Sequence, residues 1–505
     1  MLHKPVALCI LDGWGLSPHQ KGNAIALAHT PNYDRLLEAC PNAQLTTHGE
    51  SVGLPPGSIG NSEVGHLHIG SGRVNLMPIL QINQAIKTGQ LAELTVVNRM
   101  AQCAQSQNKS VHIVGIVSNI GVHGLGKHII ATANAFAKQG VKVYIHAITD
   151  GRDEPPGHAE KQIDSIAVNL PKGASIATVS GRYFLMDRDH RWDRIKKGFN
   201  TLVYGKGIRA KSAQEAVQLA TRRNETDEFI QPTVVESYSG FNEGDYVFFT
   251  NFRADRMRQL TAAIAQPGFA CFEINSKPQL GGVLSMVDYF TPPKQWLPCV
   301  FSKKTITNTL GEWVAQHGLT QMRIAETEKF PHVTFFLNGG KEKREVGEQR
   351  AMPASPKVAT YDLAPEMSSV EVTNSFIKAV HEGLGLIIVN VANPDMVGHT
   401  GDLKATIKAC EATDRALGRM VDCIKEGNGA MLVIADHGNC EQMIDPVSGG
   451  VHTAHTTNPV PVLLVGKNDN TTIQSGSLID VAPTLLELLG ISKPSEMTGK
   501  SLIKH

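Results

Sequence analysis

The 505-residue sequence has no Cys-x-x-Cys pair, and its eight cysteines, Cys9, Cys40, Cys103, Cys271, Cys299, Cys410, Cys423 and Cys440, are sparse for the length. That excludes a disulfide scaffold and a zinc ribbon, and reads as reduced structural thiols in a cytosolic protein. No apolar run approaches the roughly 18 residues of a membrane span. The N-terminus passes directly into the strand-like run VALCIL, without the apolar stretch and small-residue cleavage site of a signal peptide. A soluble, cytoplasmic protein with no membrane partner is expected. Charge of one sign is missing too: 48 Lys plus Arg against 47 Asp plus Glu leave a formal +1. There is no long basic stripe interleaved with stacking aromatics, so nucleic acid is not an expected partner.

What is present is 20 His and local clusters of Arg and Asp, in a chain long enough for about two to four compact units. A repeated pattern runs along it: a short apolar run, a polar or Gly-rich turn, then a helical pattern. VALCIL before Asp12, VHIVGIV before Ser118, VKVYIHAI before Thr149, YVFFT before Asn251, LGLIIVNV before Ala392 and AMLVIA before Asp436 are its clearest cases. Buried strands alternating with helices predict an α/β protein with largely parallel sheets, whose ligands sit beyond the carboxyl ends of the strands. Between the last two runs, Ile407, Cys410, Leu417, Met420, Val421 and Ile424 recur at helical spacing, and GNG at 427–429 ends the helix. Crossings near 74–78 and in the Pro- and aromatic-rich run 290–302 divide the chain into a discontinuous domain, 1–75 with 303–505, and an inserted domain, 76–302.

Acidic and imidazole residues follow three of the strands. Asp12 opens the turn DGWG, Asp395 and His399 lie four apart in NPDMVGHTG, and Asp436 and His437 are adjacent in ADHGN; the loop GGVHTAHTTNP adds His452 and His455. Any one of these alone reads as a helix cap or turn residue. Together they supply more ligands than one ion takes, and with no Cys among them they suit a divalent ion such as Mn²⁺, Zn²⁺ or Mg²⁺. Two ions about 3.5–4 Å apart are the recurring arrangement for phosphate ester chemistry. Ser62, in GNSEVGH, stands at a loop-to-helix junction where it reads either as a helix cap or, beside such ions, as a nucleophile toward phosphorus.

The middle third carries Arg152 and Asp153 in TDGRDEPPG, Arg182 and Arg188 in SGRYFLMDRDHRWDR, and Arg253 and Arg256 in NFRADRMR. Guanidinium forks on strand-following loops point to a small substrate with more than one anionic group. Arg191 and Arg194 read instead as surface ion pairs. His123, in NIGVHGLG, adds a donor or proton carrier, and Lys329, in ETEKFPHVTFF, a cation for a transferring phosphoryl group.

These motifs, in this order over essentially the whole chain, resemble the cofactor-independent phosphoglycerate mutase family of the alkaline phosphatase-like superfamily. The resemblance implies a phosphatase-like domain holding two Mn²⁺ and an inserted α/β domain gripping phosphoglycerate, with no need of 2,3-bisphosphoglycerate. It implies Asp395, His399 and His455 on one ion, and Asp12, Ser62, Asp436 and His437 on the other, with Ser62 as the phosphorylated nucleophile. His123, Arg152, Asp153, Arg182, Arg188, Arg253, Arg256 and Lys329 match the substrate-contacting set, Asp153 as general acid/base, while His452 and His68 receive no role. A monomer is expected, closing on its hinges to exclude water. The rival activity is that of a metal-dependent phosphomonoesterase or another phosphosugar mutase of the same superfamily.

Overall fold

The computed structural model describes residues 5–274, 276–303, 305–466 and 471–504. The chain divides into two compact units, residues 1–77 with 305–505, and residues 78–304.

The first unit is built on an eight-stranded sheet in the order Glu348–Ala351, Gln321–Ile324, Leu386–Val391, Val6–Leu11, Ala430–Ile434, Val460–Val465, Asn42–Thr46, Gly476–Ser477. The first five are parallel, as the buried apolar runs predict; Val460–Val465 then runs antiparallel to Ala430–Ile434. Every residue of Val6–Leu11, Leu386–Val391 and Ala430–Ile434 is buried, because helices cover both faces. One cover is the 24-residue helix Leu403–Glu426, which buries Cys410, Leu417, Met420, Val421 and Ile424. Asp402 caps its start by accepting from Ala405 N at 2.9 Å, and Asn428, at φ +49°, makes the left-handed turn after its end.

The second unit has its own eight-stranded sheet, in the order Cys299–Phe301, Gly282–Val287, Tyr246–Phe249, Val111–Val117, Val143–Thr149, Ala174–Gly181, Thr233–Val235, Ile208–Ala210. The first six are parallel neighbours. Its core is separate, centred on Phe136, Phe199, Phe248 and Phe249. The run 290–301, expected to be a linker, belongs to this unit. Cys299–Phe301 pairs with Gly282–Val287, Leu297 is buried, and the Phe290 and Trp296 rings lie 5.2 Å apart. Its prolines suggested a spacer, but its apolar side chains find a core to bury against. Among the described residues no helix is long and apolar enough to cross a membrane.

Candidate functional site

In the first unit the register decides the site. Leu11 pairs with Val391 and Ile10 with Ile434, so the three central strands end together. Asp12, the short helix Asn393–Gly398 carrying Asp395, and the Asp436–His437 pair therefore emerge at one edge. The antiparallel strand Val460–Val465 begins at that same edge, and a bridge between Gly438 and Thr456 brings His455 in. Gly13, at φ +78°, allows this convergence: a Cβ there would stand 2.9 Å from the Asp395 Cα.

Two groups of ligand atoms result, Asp12 with Asp436 and His437, and Asp395 with His399 and His455, each set within 4.8 Å of one another. The imidazoles are preset. His399 Nδ1 lies 2.8 Å from Thr453 O and His455 Nδ1 2.9 Å from Gly60 O. A carbonyl only accepts, so each Nδ1 carries a proton and each Nε2 is turned toward the site. The two Nε2 atoms lie 3.1 Å apart and 3.3 and 3.2 Å from Asp395 Oδ1; Asp395 raises the pKa of His399, and for His455 burial acts downward but Asp395 outweighs it.

Lys329 Nζ reaches Asp12 Oδ1 at 2.9 Å, Ser62 Oγ at 2.7 Å and Asp395 Oδ2 at 2.6 Å. Burial alone would lower the Lys329 pKa, but Asp12, Asp395 and Asp436 outweigh it and raise it, so the group stays an ammonium. Burial and the Asp436 charge raise Asp12; for Asp395 and Asp436 burial acts upward too, but Lys329 on the one and His437 and His66 on the other hold them low. Three buried carboxylates thus share one ammonium, and Asp436 Oδ2 has no hydrogen-bond partner. Surplus buried negative charge with an orphaned oxygen is a donor set suited to divalent cations.

Ser62 is the first residue of helix Ser62–Ser71, and the cap is Asn61, whose Oδ1 accepts from Val64 N at 2.9 Å. The capping role open to Ser62 in the sequence is therefore filled by its neighbour. Its buried hydroxyl accepts from Lys329 and faces His437 Nε2 at 2.9 Å and Asp12 Oδ1 at 3.3 Å.

Sequence reasoning passed over three supporting residues. His66, one turn after Ser62, donates from Nδ1 to Ser62 O at 2.8 Å; its Nε2 accepts from Asn390 Nδ2 at 3.1 Å, and Asn390 also donates to Asp12 Oδ2 at 2.7 Å. Glu441, buried, accepts from Asn439 N, Asn458 Nδ2 and Thr456 Oγ1, which ties the His437 loop to the His455 loop. A lone polar residue in the buried strand LIIVNV was the available signal for Asn390. His452 stays outside both ligand groups, while His68 holds the turn after its helix by accepting from Asn75 N at 2.9 Å.

In the second unit, four adjacent parallel strands deliver the arginines: Tyr246–Phe249 leads to Arg253 and Arg256, Val111–Val117 to His123, Val143–Thr149 to Arg152 and Asp153, and Ala174–Gly181 to Arg182. Arg182 is buried. Its Nη1 donates to Asp150 Oδ1 at 2.6 Å and to Asp153 Oδ2, and its Nη2 to His123 Nε2 at 3.1 Å. Burial pushes the Asp153 carboxyl up, but Arg182, His123 and Arg256 outweigh it and hold it low, so it is ionised and able to accept a proton. His123 is pushed down to about 4 by burial and by Arg182, and is neutral.

Arg188 and Arg253 are half-exposed and both bind Asp255, and Arg152 reaches Glu228 at 3.4 Å. Arg256 donates to Met186 O at 3.0 Å; burial and then Arg182, Arg188 and Arg152 lower its pKa, which marks a surplus of positive charge around it. Arg194 pairs with Asp187 and stacks on Tyr183, as a structural residue should. Arg191 contributes its backbone N–H to Asp187.

Replacing Arg182 by Met is expected to cost about 3–5 kcal/mol of stability, because buried Asp150 loses its counter-ion. Urea unfolding measures this; an unchanged midpoint would show that Asp150 is satisfied without Arg182.

The chain is similar to known proteins along its whole length. Residues 4–493 match the Metalloenzyme superfamily. The chain is 55% identical over 501 residues to the 2,3-bisphosphoglycerate-independent phosphoglycerate mutase of Cereibacter sphaeroides, and 54% identical over 500 residues to that of Agrobacterium fabrum, with 99% of each chain covered in both cases. Among solved structures, Leishmania mexicana phosphoglycerate mutase at low cobalt concentration is similar with a TM-score of 0.57 and 30% identity, covering 99% of this chain and 98% of that one.

Proposed function

Since this chain belongs to the 2,3-bisphosphoglycerate-independent phosphoglycerate mutase family and the Metalloenzyme superfamily, we propose that it carries the phosphoryl group on Ser62 with the help of two divalent ions. The activity is the interconversion of 3-phosphoglycerate and 2-phosphoglycerate. The observation that carries the phosphoserine reading is the Ser62 hydroxyl itself: relieved of capping by Asn61, it accepts from an ammonium at the N-terminus of a helix.

Asp12, Asp436 and His437 would hold one ion, with Ser62, and Asp395, His399 and His455 the other, Mn²⁺ being the ion we favour for this oxygen and imidazole set. Such ions stabilise charge on phosphoryl oxygens and favour the ionised form of a bound hydroxyl. Lys329 and the helix amides act on Ser62 in the same direction. Ser62 Oγ gives up its proton and forms a bond to phosphorus as the phosphorus–oxygen bond to the glycerate breaks, and the proton released from Ser62 balances the one that the leaving oxygen takes up. The arginine cluster retains the glycerate by its carboxylate. Asp153, ionised in the free protein, accepts a proton from the second hydroxyl, whose oxygen then takes the phosphoryl group back and frees Ser62.

We read the enzyme as a cytoplasmic monomer; its eight free cysteines support a reducing compartment.

The ion count is testable by metal analysis of protein equilibrated with excess Mn²⁺ and desalted. Two ions per chain are expected, one for each ligand group, falling to one in Asp12→Asn and in His455→Ala. A single ion in the unaltered protein would overturn the two-ion reading. Incubation with 3-phosphoglycerate and Mn²⁺ alone should yield 2-phosphoglycerate with little free phosphate.

A further inference from the structure

Within the arginine cluster of the second unit lies one carboxylate that its neighbours treat as a ligand. Asp255 Oδ1 accepts from Arg253 Nε at 3.1 Å, and Oδ2 accepts from Arg253 Nη2 at 3.4 Å and Arg188 Nη1 at 2.8 Å. His123 Nδ1 stands 4.0 Å from Oδ1. Because His123 Nε2 accepts from Arg182, the ring proton is on Nδ1, and this buried N–H has no hydrogen-bond partner. Two guanidinium groups and an unsatisfied N–H converging on one carboxylate form the pattern by which proteins bind a small molecule's carboxylate or phosphoryl group.

The pairs are also easy to break. The side chains of Arg188, Arg253 and Asp255 are 46%, 48% and 27% exposed, and ion pairs so open to water are weak. Arg256, next in sequence, sits in a surplus of positive charge that Asp255 only partly offsets.

We propose that Asp255 is an internal stand-in for the substrate's anionic group: it holds Arg188 and Arg253 in ligand-binding geometry in the free enzyme and is displaced when phosphoglycerate binds, so that it sets affinity. This rests on the reading that the arginine cluster receives phosphoglycerate. Asp255 is thus a competitor as well as an organiser, and its charge opposes binding of a trianion. Asp153, by contrast, is tied to buried Arg182 and stays in place.

The test is Asp255→Asn in the Mn²⁺-loaded enzyme, with steady-state kinetics on 3-phosphoglycerate. The amide keeps the shape and removes the charge. KM is expected to fall about 3- to 10-fold, with kcat unchanged or lowered by slower product release. A KM that rises would assign Asp255 to orienting the arginines alone, and a KM within twofold of the original would remove it from the site; either overturns the proposal. Asp255→Ser, which should shift KM in the same direction, guards against a fault peculiar to the amide. Arg253→Gln, in the same assay, should raise KM at least about 10-fold. If it leaves KM unchanged, the cluster does not receive the substrate, and the underlying reading fails on its own.

Discussion

Turnover of 3-phosphoglycerate should fall by about 10⁴-fold or more when Ser62 is replaced by alanine, the size of loss seen when a catalytic nucleophile is removed. The substitution isolates chemistry from folding. Asn61, not Ser62, caps the helix, and Ser62 is its first residue, where alanine is a good helix former. What disappears is the hydroxyl that accepts from Lys329 at 2.7 Å and faces His437 Nε2 at 2.9 Å. Two readouts belong together: the rate of 2-phosphoglycerate formation, and the phosphate mass on the peptide containing Ser62 after acid quench during turnover. Both should vanish in the variant. Turnover within tenfold of the original would mean that the phosphoryl group travels by another route, whatever the fate of the label.

The architecture was largely legible because strands buried on both faces are written as continuous apolar runs, as in VALCIL and AMLVIA. The other strands were harder to see, two long ones among them. Ala174–Gly181 mixes Ser and Thr among its apolar residues, and Val460–Val465 holds a proline and follows a His- and Thr-rich loop, so neither has the apolar continuity of the others. The candidate ligands were legible by recurrence: one Asp or His after a buried strand reads as a cap or turn residue, but three such segments hold more donors than those duties need. Their supports were not. Asn390 reaches Asp12 across 378 residues, and Glu441 acts through a loop pairing that only the antiparallel strand creates. Charge pairing in the inserted unit was equally invisible. Arg152, Arg182, Arg188 and Arg253 look alike in sequence, yet Arg182 is locked between two carboxylates under cover, while the others stand half-exposed on Glu228 or Asp255.

Mild acid should destabilise the inserted unit. Its sheet contains a directed chain of hydrogen bonds: Thr178 Oγ1 donates to His146 Nδ1 at 2.9 Å, His146 Nε2 to His112 Nδ1 at 3.0 Å, and His112 Nε2 to Asp245 Oδ2 at 3.1 Å. The carboxylate can only accept, so every proton in the chain points one way and each imidazole is neutral with both nitrogens in use. His128 is buried as well, donating from Nε2 to Asn83 Oδ1 at 2.9 Å with Nδ1 enclosed and unpartnered. Burial, then Lys127, pushes His128 down to about 3. Burial, then His112, holds His146 well below its ordinary value; burial also lowers His112, against the opposing pull of Asp245. These groups take up protons only once the unit unfolds, so below pH 6.5 the unfolded state binds more protons and stability falls as pH falls. At pH 5 an unfolded imidazole of pKa about 6.5 gains about 2 kcal/mol from protonation, so His128, held at about 3 in the fold, removes about 2 kcal/mol, and His146 adds to the loss in the same direction. That is a large share of a domain's usual 5–15 kcal/mol. Amide exchange of Val111–Val117 and Val143–Thr149, corrected for its intrinsic pH dependence, should show protection free energies lower by about 2 kcal/mol or more at pH 5 than at pH 7. In His128→Asn the difference should shrink by about 2 kcal/mol, since one titrating group is gone. Equal protection at the two pH values would show that the buried imidazoles are protonated in the fold after all.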